Sequence, residues 1–399
     1  MYAYRADRAF DGERVLSSGA LVLVDDGRIV AVQEGHPPAP HDCAVTYLPG
    51  TTLLPGLIDA HTHLCGNDAM DALDRLPHIG DDEIDAAVRT AFDRQLEAGV
   101  TAVRDLGDYR WAVVDRHRDR PDGPTVVASG PPITSLGGHC ADLGGAVAGV
   151  AALRAAVRER AERGADLVKL MTSGGMMTPS SDVGACQFTL DEVRAVVDEA
   201  HRHGLPVTAH AHALAAVQQC LAAGVDGIEH CSCIGAHGHG APPEVADAIA
   251  AAGIAVCPTL GHDLSRMPPL PPAVAETVAR HGLTVDNLIA NVGILHRHGV
   301  TLISGADSGI NPVKAHGNLP RAVVELAAAG VSTVDALASA TGRAADACGL
   351  AGRTGRLRAG LDADLLIVEG DPTTEISAVR AVRAVVSRGR VTGTPRSNV

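Results

Sequence analysis

Two rhythms of apolar and polar positions alternate along the chain. Near its start, apolar residues come in short runs broken by turn residues: Gly19-Ala20-Leu21-Val22-Leu23-Val24, then Asp25-Asp26-Gly27, then Arg28-Ile29-Val30-Ala31-Val32. Asp-Gly between two such runs predicts a β-hairpin. The stretches 360–368 and 382–391 repeat this style, so both ends of the chain are strand-rich and predict one small shared domain. From about 53 to 350 the pattern becomes a short apolar run, a loop, an Ala-rich segment and another apolar run. That alternation predicts an α/β fold of parallel strands with helical crossovers. Strand ends fall at His63, Asp105, Ser129, Met171, His210, His230, Pro258 and Asp307. Eight βα units predict a (β/α)8 TIM-like barrel over 53–350, with its site at the C-terminal strand ends, flanked by terminal parts 1–52 and 351–399.

Composition narrows the picture without naming an activity. At 399 residues and 46% hydrophobic, the chain has material for a barrel and a smaller domain. A net charge of −14 and the lack of any Lys/Arg run disfavour nucleic acid and anionic membrane as partners, leaving a small-molecule substrate as the expectation. The first residues carry charges where a signal peptide needs apolar ones, and no uninterrupted apolar stretch is long enough to span a bilayer, so a cytoplasmic location is expected. Nine scattered cysteines without a Cys-x-x-Cys pair fit reduced thiols. Pro268-Pro269-Leu270-Pro271-Pro272 predicts a stiff surface excursion between the seventh and eighth strands.

The first chemical suspicion comes from Leu53-Leu54-Pro55-Gly56-Leu57-Ile58-Asp59-Ala60-His61-Thr62-His63. An i, i+2 spacing on a strand puts both imidazoles on one face, about 7 Å apart along the chain, within reach of one metal ion. His237-Gly238-His239 has the same spacing but no apolar strand before it, so spacing alone does not make a site. Lys169 lies in Asp166-Leu167-Val168-Lys169-Leu170-Met171, apolar on both sides. A lysine buried in a parallel strand must lose its proton or find a partner, unless its ammonium snorkels to solvent.

The run PGLIDAHTH resembles the first-strand signature of the metal-dependent amidohydrolase superfamily. Later segments resemble its Xaa-Pro dipeptidase (prolidase)-like and imidazolonepropionase-like branch. The resemblance implies a composite β-sandwich built from both termini. It also implies two divalent metal ions, Zn2+ first and Mn2+ or Co2+ as alternatives, with His61, His63 and Asp307 on one and His210 and His230 on the other. Lys169, followed by Ser173-Gly174-Gly175, is implied to carry a carbon dioxide-derived carbamate between the two ions. His212 shares the facing of His210 but is expected further out in a loop. Cys231 and Cys233 beside His230 would suit a soft metal, which the other nitrogen and oxygen donors do not favour.

The implied function is hydrolysis of an amide (C–N) bond of a small molecule, such as a dipeptide or N-acyl amino acid, by a hydroxide formed between the ions. Asp307 is the implied proton carrier. His139, in Gly137-Gly138-His139, is the implied substrate contact and a second catalytic candidate. The long loop with Met176, Met177 and Gln187 is expected to cover the site and choose the substrate. With one Trp, four Tyr and three Phe in the whole chain, the pocket is expected to be poor in aromatics and to take a substrate with a polar outer end. Alternatives are a cyclic-amide hydrolase or deaminase of the same superfamily, with Lys169 as the discriminating residue, and a non-catalytic metal-binding barrel. The reading leaves room for a homo-oligomer.

Overall fold

The computed structural model describes residues 1–176, 178, 180–236 and 238–392. The first part of the chain forms β1 (Tyr2–Phe10), β2 (Val15–Leu16), β3 (Ala20–Asp25), β4 (Arg28–Glu34) and β5 (Ala44–Pro55). The middle supplies β6 (Leu57–Thr62), β7 (Val100–Asp105), β8 (Thr125–Ala128), β9 (Val168–Met171), β10 (Val207–Ala213), β11 (Gly227–Ile234) and β12 (Ala255–Cys257). The end of the chain supplies β13 (Leu365–Glu369), β14 (Val382–Ser387) and β15 (Arg390–Thr392).

Strands from both termini share one sheet, in the order β15-β14-β13-β5-β1-β3-β4, with β2 beside β1. The predicted hairpin joins β3 to β4, and Asp26 and Gly27 sit at φ 46° and 74°, the doubly left-handed turn that Asp-Gly favours. Val22, Val24, Leu53, Leu365, Ile367 and Val386 bury together on one face of this sheet. Near its end β5 is fully buried, and the chain passes through Gly56 into β6; a Cβ at Gly56 would collide with the Thr101 side chain.

In the middle section every paired strand is parallel: β6-β7-β8 form one sheet and β9-β10-β11-β12 another. Strands β6 to β9 are buried at every position, so the charged residues they carry, Asp59, Arg104, Asp105 and Lys169, are buried with them. Helices follow most strands; Leu190–Arg202 shows why. Thr189 and Glu192 form a reciprocal capping box at its start, and Val193, Val196, Val197 and Ala200 make its buried stripe. Losing the Thr189 cap would cost about 1 kcal/mol.

The expected eighth strand is not a regular one. The segment 301–308 contacts its neighbours by single parallel bridges, Val256 to Leu302 on one side and Thr62 to Ser308 on the other. A further bridge, Ile133 to Leu170, joins the stretch after β8 to β9. Small residues let segment 301–308 press close: a Cβ at Gly305 would stand 2.6 Å from the His61 nitrogen and 2.7 Å from Cys257 Sγ. Strand lengths also differ from expectation, because β10 and β11 run three and four residues beyond His210 and His230.

No described helix is long and apolar enough to cross a membrane. Although the sequence has no basic run, folding gathers Arg118, Arg120, Arg353, Arg388 and Arg390 around a recess of about 520 Å³ near the start of β8. Arg120 and Arg353 pair there with Asp122 and Asp362. Arg388 donates to the carbonyls of Pro121 and Gly123.

Candidate metal centre

Strand β6 delivers His61, and His63 follows it by one residue; both are buried. Beneath them Asp59 clamps β6 to segment 301–308, accepting from Ala306 N at 2.9 Å, Ser308 Oγ at 3.0 Å and Gln95 Nε2 at 3.1 Å. Complete burial pushes the Asp59 carboxyl up to about 6 in spite of those donors. The clamp sets Asp307 opposite the histidines, its Oδ1 3.2 Å from Nε2 of both His61 and His63.

What stands behind each ring fixes its tautomer. His61 Nδ1–H donates to Glu229 Oε2 at 2.7 Å, and His63 Nδ1–H donates to the Gly107 carbonyl at 3.2 Å. Both partners only accept, so the neutral form of each ring keeps its proton on Nδ1 and leaves Nε2 free to ligate. Glu229 is itself held by Arg104 Nη2 at 2.8 Å and Thr208 Oγ1 at 2.5 Å. Burial pushes His61 down to about 4. Burial lowers His63 as well, but its bond to Asp307 outweighs that and leaves it raised. Burial would raise Asp307, yet His61 and His63 hold it well below the usual carboxylate range.

A second trio comes from β10 and β11. His210 and His212 face the same way, as their spacing predicts, but His212 lies within β10, buried, and not in an outer loop. His230 reaches them through a left-handed kink, with φ 66° at His230 and 51° at Cys231. Ring centroids are 4.7 Å apart for His210–His212, 4.6 Å for His210–His230 and 4.5 Å for the stacked pair His212–His230. His210 Nε2–H donates to the Gly174 carbonyl at 3.0 Å, turning Nδ1 inward. Nδ1 of His212 meets Ser232 Oγ, and Nδ1 of His230 meets Thr259 Oγ1, each at 2.8 Å. Burial, reinforced by the neighbouring imidazoles, pushes His210 and His230 well below the ordinary histidine value.

Lys169 lines the same cavity as both trios. It is 1% exposed, and its Nζ has no hydrogen-bond partner among the described residues. Its charge acts on His61 and His63 as well as on His210 and His230, and burial drives its own pKa down. A fully desolvated amine among neutral imidazoles is unfavourable as an ammonium.

The residues therefore fit divalent metal. Donor atoms of His61, His63 and Asp307 lie within 4.8 Å of one another, and so do those of His210, His212 and His230. Nitrogen and oxygen donors of this kind suit zinc and its neighbours. His61, Glu229 and Cys257 form a third close group, but Glu229 is already bound by Arg104 and Thr208. Cys231 and Cys233 pack in the apolar core with their sulfurs 3.9 Å apart.

A cavity of about 450 Å³ opens over both trios. His139 and Met176 line it, as expected. The His139 ring contacts Thr178 Oγ1 at 2.8 Å, and burial pushes it down to about 3. Gln187 corrects the sequence reading, because its amide is spent on protein groups. Oε1 accepts from His139 N at 2.6 Å, while Nε2 donates to the Met171 carbonyl at 2.7 Å and to Thr134 Oγ1 at 3.2 Å. Gln187 thus positions the His139 loop and is no part of the cavity wall. Met177 lies outside the described residues.

The proline-rich stretch lies at the surface as expected, with Pro269, Pro271 and Pro272 exposed, and from there Met267, Pro268, Leu270 and Val274 also form one wall of the cavity. Leu283, Leu288, Ile310 and Val313 add aliphatic surface, and no Phe, Tyr or Trp is among the described lining residues. Glu229 and Arg104, which prop His61, were missed altogether. Their only signal in the sequence is a charged residue within each of two buried strand-like runs.

Comparison with known proteins defines the class: residues 52–392 match the amidohydrolase family model, and the chain belongs to that family. Ochratoxinase of Aspergillus niger is 28% identical over 366 residues, 84% of this chain and 73% of that protein. A crystal structure of a Xaa-Pro dipeptidase with bound methionine in its active site superposes with a TM-score of 0.86 at 25% identity, covering 98% of this chain and all of the other. A prolidase complexed with N-methylphosphonate-L-proline gives a TM-score of 0.84 at 27% identity, covering 98% of each chain. A TIM-barrel-like α/β fold follows.

Proposed function

We propose that this protein is a metal-dependent hydrolase that cleaves an amide bond in a small molecule, such as a dipeptide or an N-acyl amino acid. One observation carries the reading: the buried Lys169 amine, without a hydrogen-bond partner among the described residues, lines the same cavity as two clusters of metal-donor atoms. On this reading His61, His63 and Asp307 would hold one divalent ion and His210 and His230 the other, with His212 as a further donor. Lys169, carbamylated by carbon dioxide, would supply an oxygen to each. Zinc is the first choice, with manganese or cobalt as alternatives. Bound there, such ions would polarise the scissile carbonyl and lower the pKa of water.

The chain's own groups do the rest. Asp307, kept ionised by His61 and His63, takes the proton of the attacking water and hands it to the leaving nitrogen. Glu229, fixed by Arg104, keeps the proton of His61 on Nδ1. His139, a neutral imidazole at neutral pH, donates its ring N–H to the substrate carbonyl. Aliphatic walls receive the substrate's apolar part and exclude water from it. The dipeptidase with bound methionine and the prolidase with a proline phosphonate are consistent with amino-acid-derived substrates.

The same reading takes 53–350 as one (β/α)8 barrel, closed where segment 301–308 bridges β12 and β6. It takes 1–52 and 351–399 as two parts of one β-sandwich domain. Single parallel bridges and the sheet shared by both termini support it.

The test is a substrate panel. Protein expressed with zinc and bicarbonate is assayed on N-acyl amino acids, Xaa-Pro dipeptides, cyclic imides and lactams, following released amine or ring-opened acid. Release of amine from aliphatic N-acyl amino acids or dipeptides is expected. Hydrolysis of phosphate esters alone, or ammonia from ring amidines without amide cleavage, rejects the reading.

A further inference from the structure

The cavity wall contains a second buried lysine for which the metal reading has no use. Lys314 ends the short turn Pro312–Lys314 beyond segment 301–308, is 7% exposed and lines the cavity. Asn311 fixes that turn, its Oδ1 accepting from the nitrogens of Val313 and Lys314, each at 3.0 Å. Lys314 Nζ donates to the Thr259 carbonyl and, at 3.3 Å, to the Leu260 carbonyl. An ammonium has three N–H donors, so one is left over.

Among the described residues no counter-ion pairs with this amine: the carboxylates that act on it, Asp307, Glu325 and Asp59, form no salt bridge with it, and burial lowers its pKa. Asp59 is taken up by Ala306, Ser308 and Gln95. Asp307 faces His61 and His63. Glu325 accepts from Gly261 N at 2.9 Å, His262 N at 2.8 Å and His262 Nδ1 at 3.0 Å. Burying an ammonium without a paired anion is costly, and folded proteins rarely retain one without a use. Around it the wall is aliphatic, and no arginine is among the described lining residues.

We propose that Lys314 anchors a carboxylate of the substrate, and that the preferred substrates are N-acyl amino acids and dipeptides whose amine half carries a free α-carboxylate and an aliphatic side chain. In such a molecule the carboxylate sits two bonds from the scissile nitrogen. A cation in the same cavity as Asp307, and electrostatically coupled to it, is placed to meet that carboxylate while the carbonyl faces the histidine trios. The proposal rests on the amide-hydrolase reading, and its test separates the two.

The probes are N-acetyl-L-methionine and N-acetyl-L-methioninamide, which differ only in charge at the anchor. With metal-loaded wild type, acetate release should favour the acid by about 30-fold in kcat/KM, the value of one hydrogen bond to a charged group. Lys314→Met should raise KM for the acid and bring the two substrates together, and Lys314→Arg should restore part of the preference. Calorimetric titration of the metal-loaded Asp307→Asn protein with both probes needs no turnover and should show the same preference, abolished by adding Lys314→Met. Equal binding of acid and amide by the Asp307→Asn protein, or a preference that survives Lys314→Met, overturns the anchor. Tight acid binding with no hydrolysis of either probe by wild type would instead keep the anchor and reject the amidase.

Discussion

The two halves of the candidate centre use the same imidazoles but differ in what stands behind them. His61 is backed by a carboxylate, Glu229, which is in turn held by Arg104, and Asp307 faces both His61 and His63. His210, His212 and His230 are backed only by neutral groups: a carbonyl and two hydroxyls. The first half thus carries its own negative charge, while the second has none of its own. On the proposed reading, a dication in the second half would draw its anion from a carbamylated Lys169, which would make the first half self-sufficient and the second dependent on the bridge.

The largest effect expected from this comparison belongs to Lys169→Ala. Losing the bridging oxygens removes several kcal/mol of charge stabilisation, so turnover on the best panel substrate should fall on the order of 10³-fold. Near-wild-type turnover would break the asymmetry outright. Asp307→Asn removes the proton carrier while keeping an oxygen donor. A drop in kcat of roughly 10²-fold with most metal retained is expected, and stopped-flow kinetics with elemental analysis would read it. Glu229→Gln sharpens the comparison, because it leaves every donor atom in place and changes only what stands behind His61. Metal affinity of the first half should weaken about 10- to 100-fold with the second half little changed, as followed by competition with a chelator. An equal loss in both halves would show that Glu229 serves the fold at large.

The smallest effect concerns a buried aspartate with no metal role. Asp364 lies in the terminal sheet domain, where burial pushes its carboxyl up to about 6 although Thr354 and the Arg388 backbone donate to it. Its folded pKa exceeds the unfolded value of 3.8, so the native state binds the extra proton between about pH 4 and 6. Stability from that proton is present below pH 4 and is lost as pH rises through 6. Asp364→Asn should therefore gain on wild type over that range, by at most about 3 kcal/mol, seen as a Tm difference that grows from pH 4 to pH 7. A constant difference would contradict the assignment. Asp307 is just as deeply buried, but His61 and His63 outweigh the burial and shift it the opposite way.

How much of this was legible in the sequence depended on how local each signal was. His61 and His63 are two residues apart at the end of an apolar run, and His210, His230 and Asp307 each close a strand-like run, so their place at one end of the fold could be read directly. The support behind them could not. The bond from His61 to Glu229 spans 168 residues, and that from Arg104 to Glu229 spans 125. Nothing in the local pattern around Arg104 says which strand it will face. Gln187 looked like a substrate contact because its loop follows Lys169, whereas the amide is consumed by His139, Thr134 and Met171. The proline-rich stretch was legible as a surface segment, but only the tertiary path brings Pro268 and Leu270 to the cavity. The eighth strand was legible as a segment but not as a poorly paired one, since Gly305 trades regular pairing for close approach to His61.

Metal content and the state of Lys169, measured on the same preparation, test the central claim most directly. Wild type expressed with zinc and bicarbonate should hold two metal ions per chain, with a carbamate on Lys169 visible at high resolution. Lys169→Ala should hold one, on His61, His63 and Asp307. A wild type with a single ion and an unmodified Lys169 amine would contradict the account.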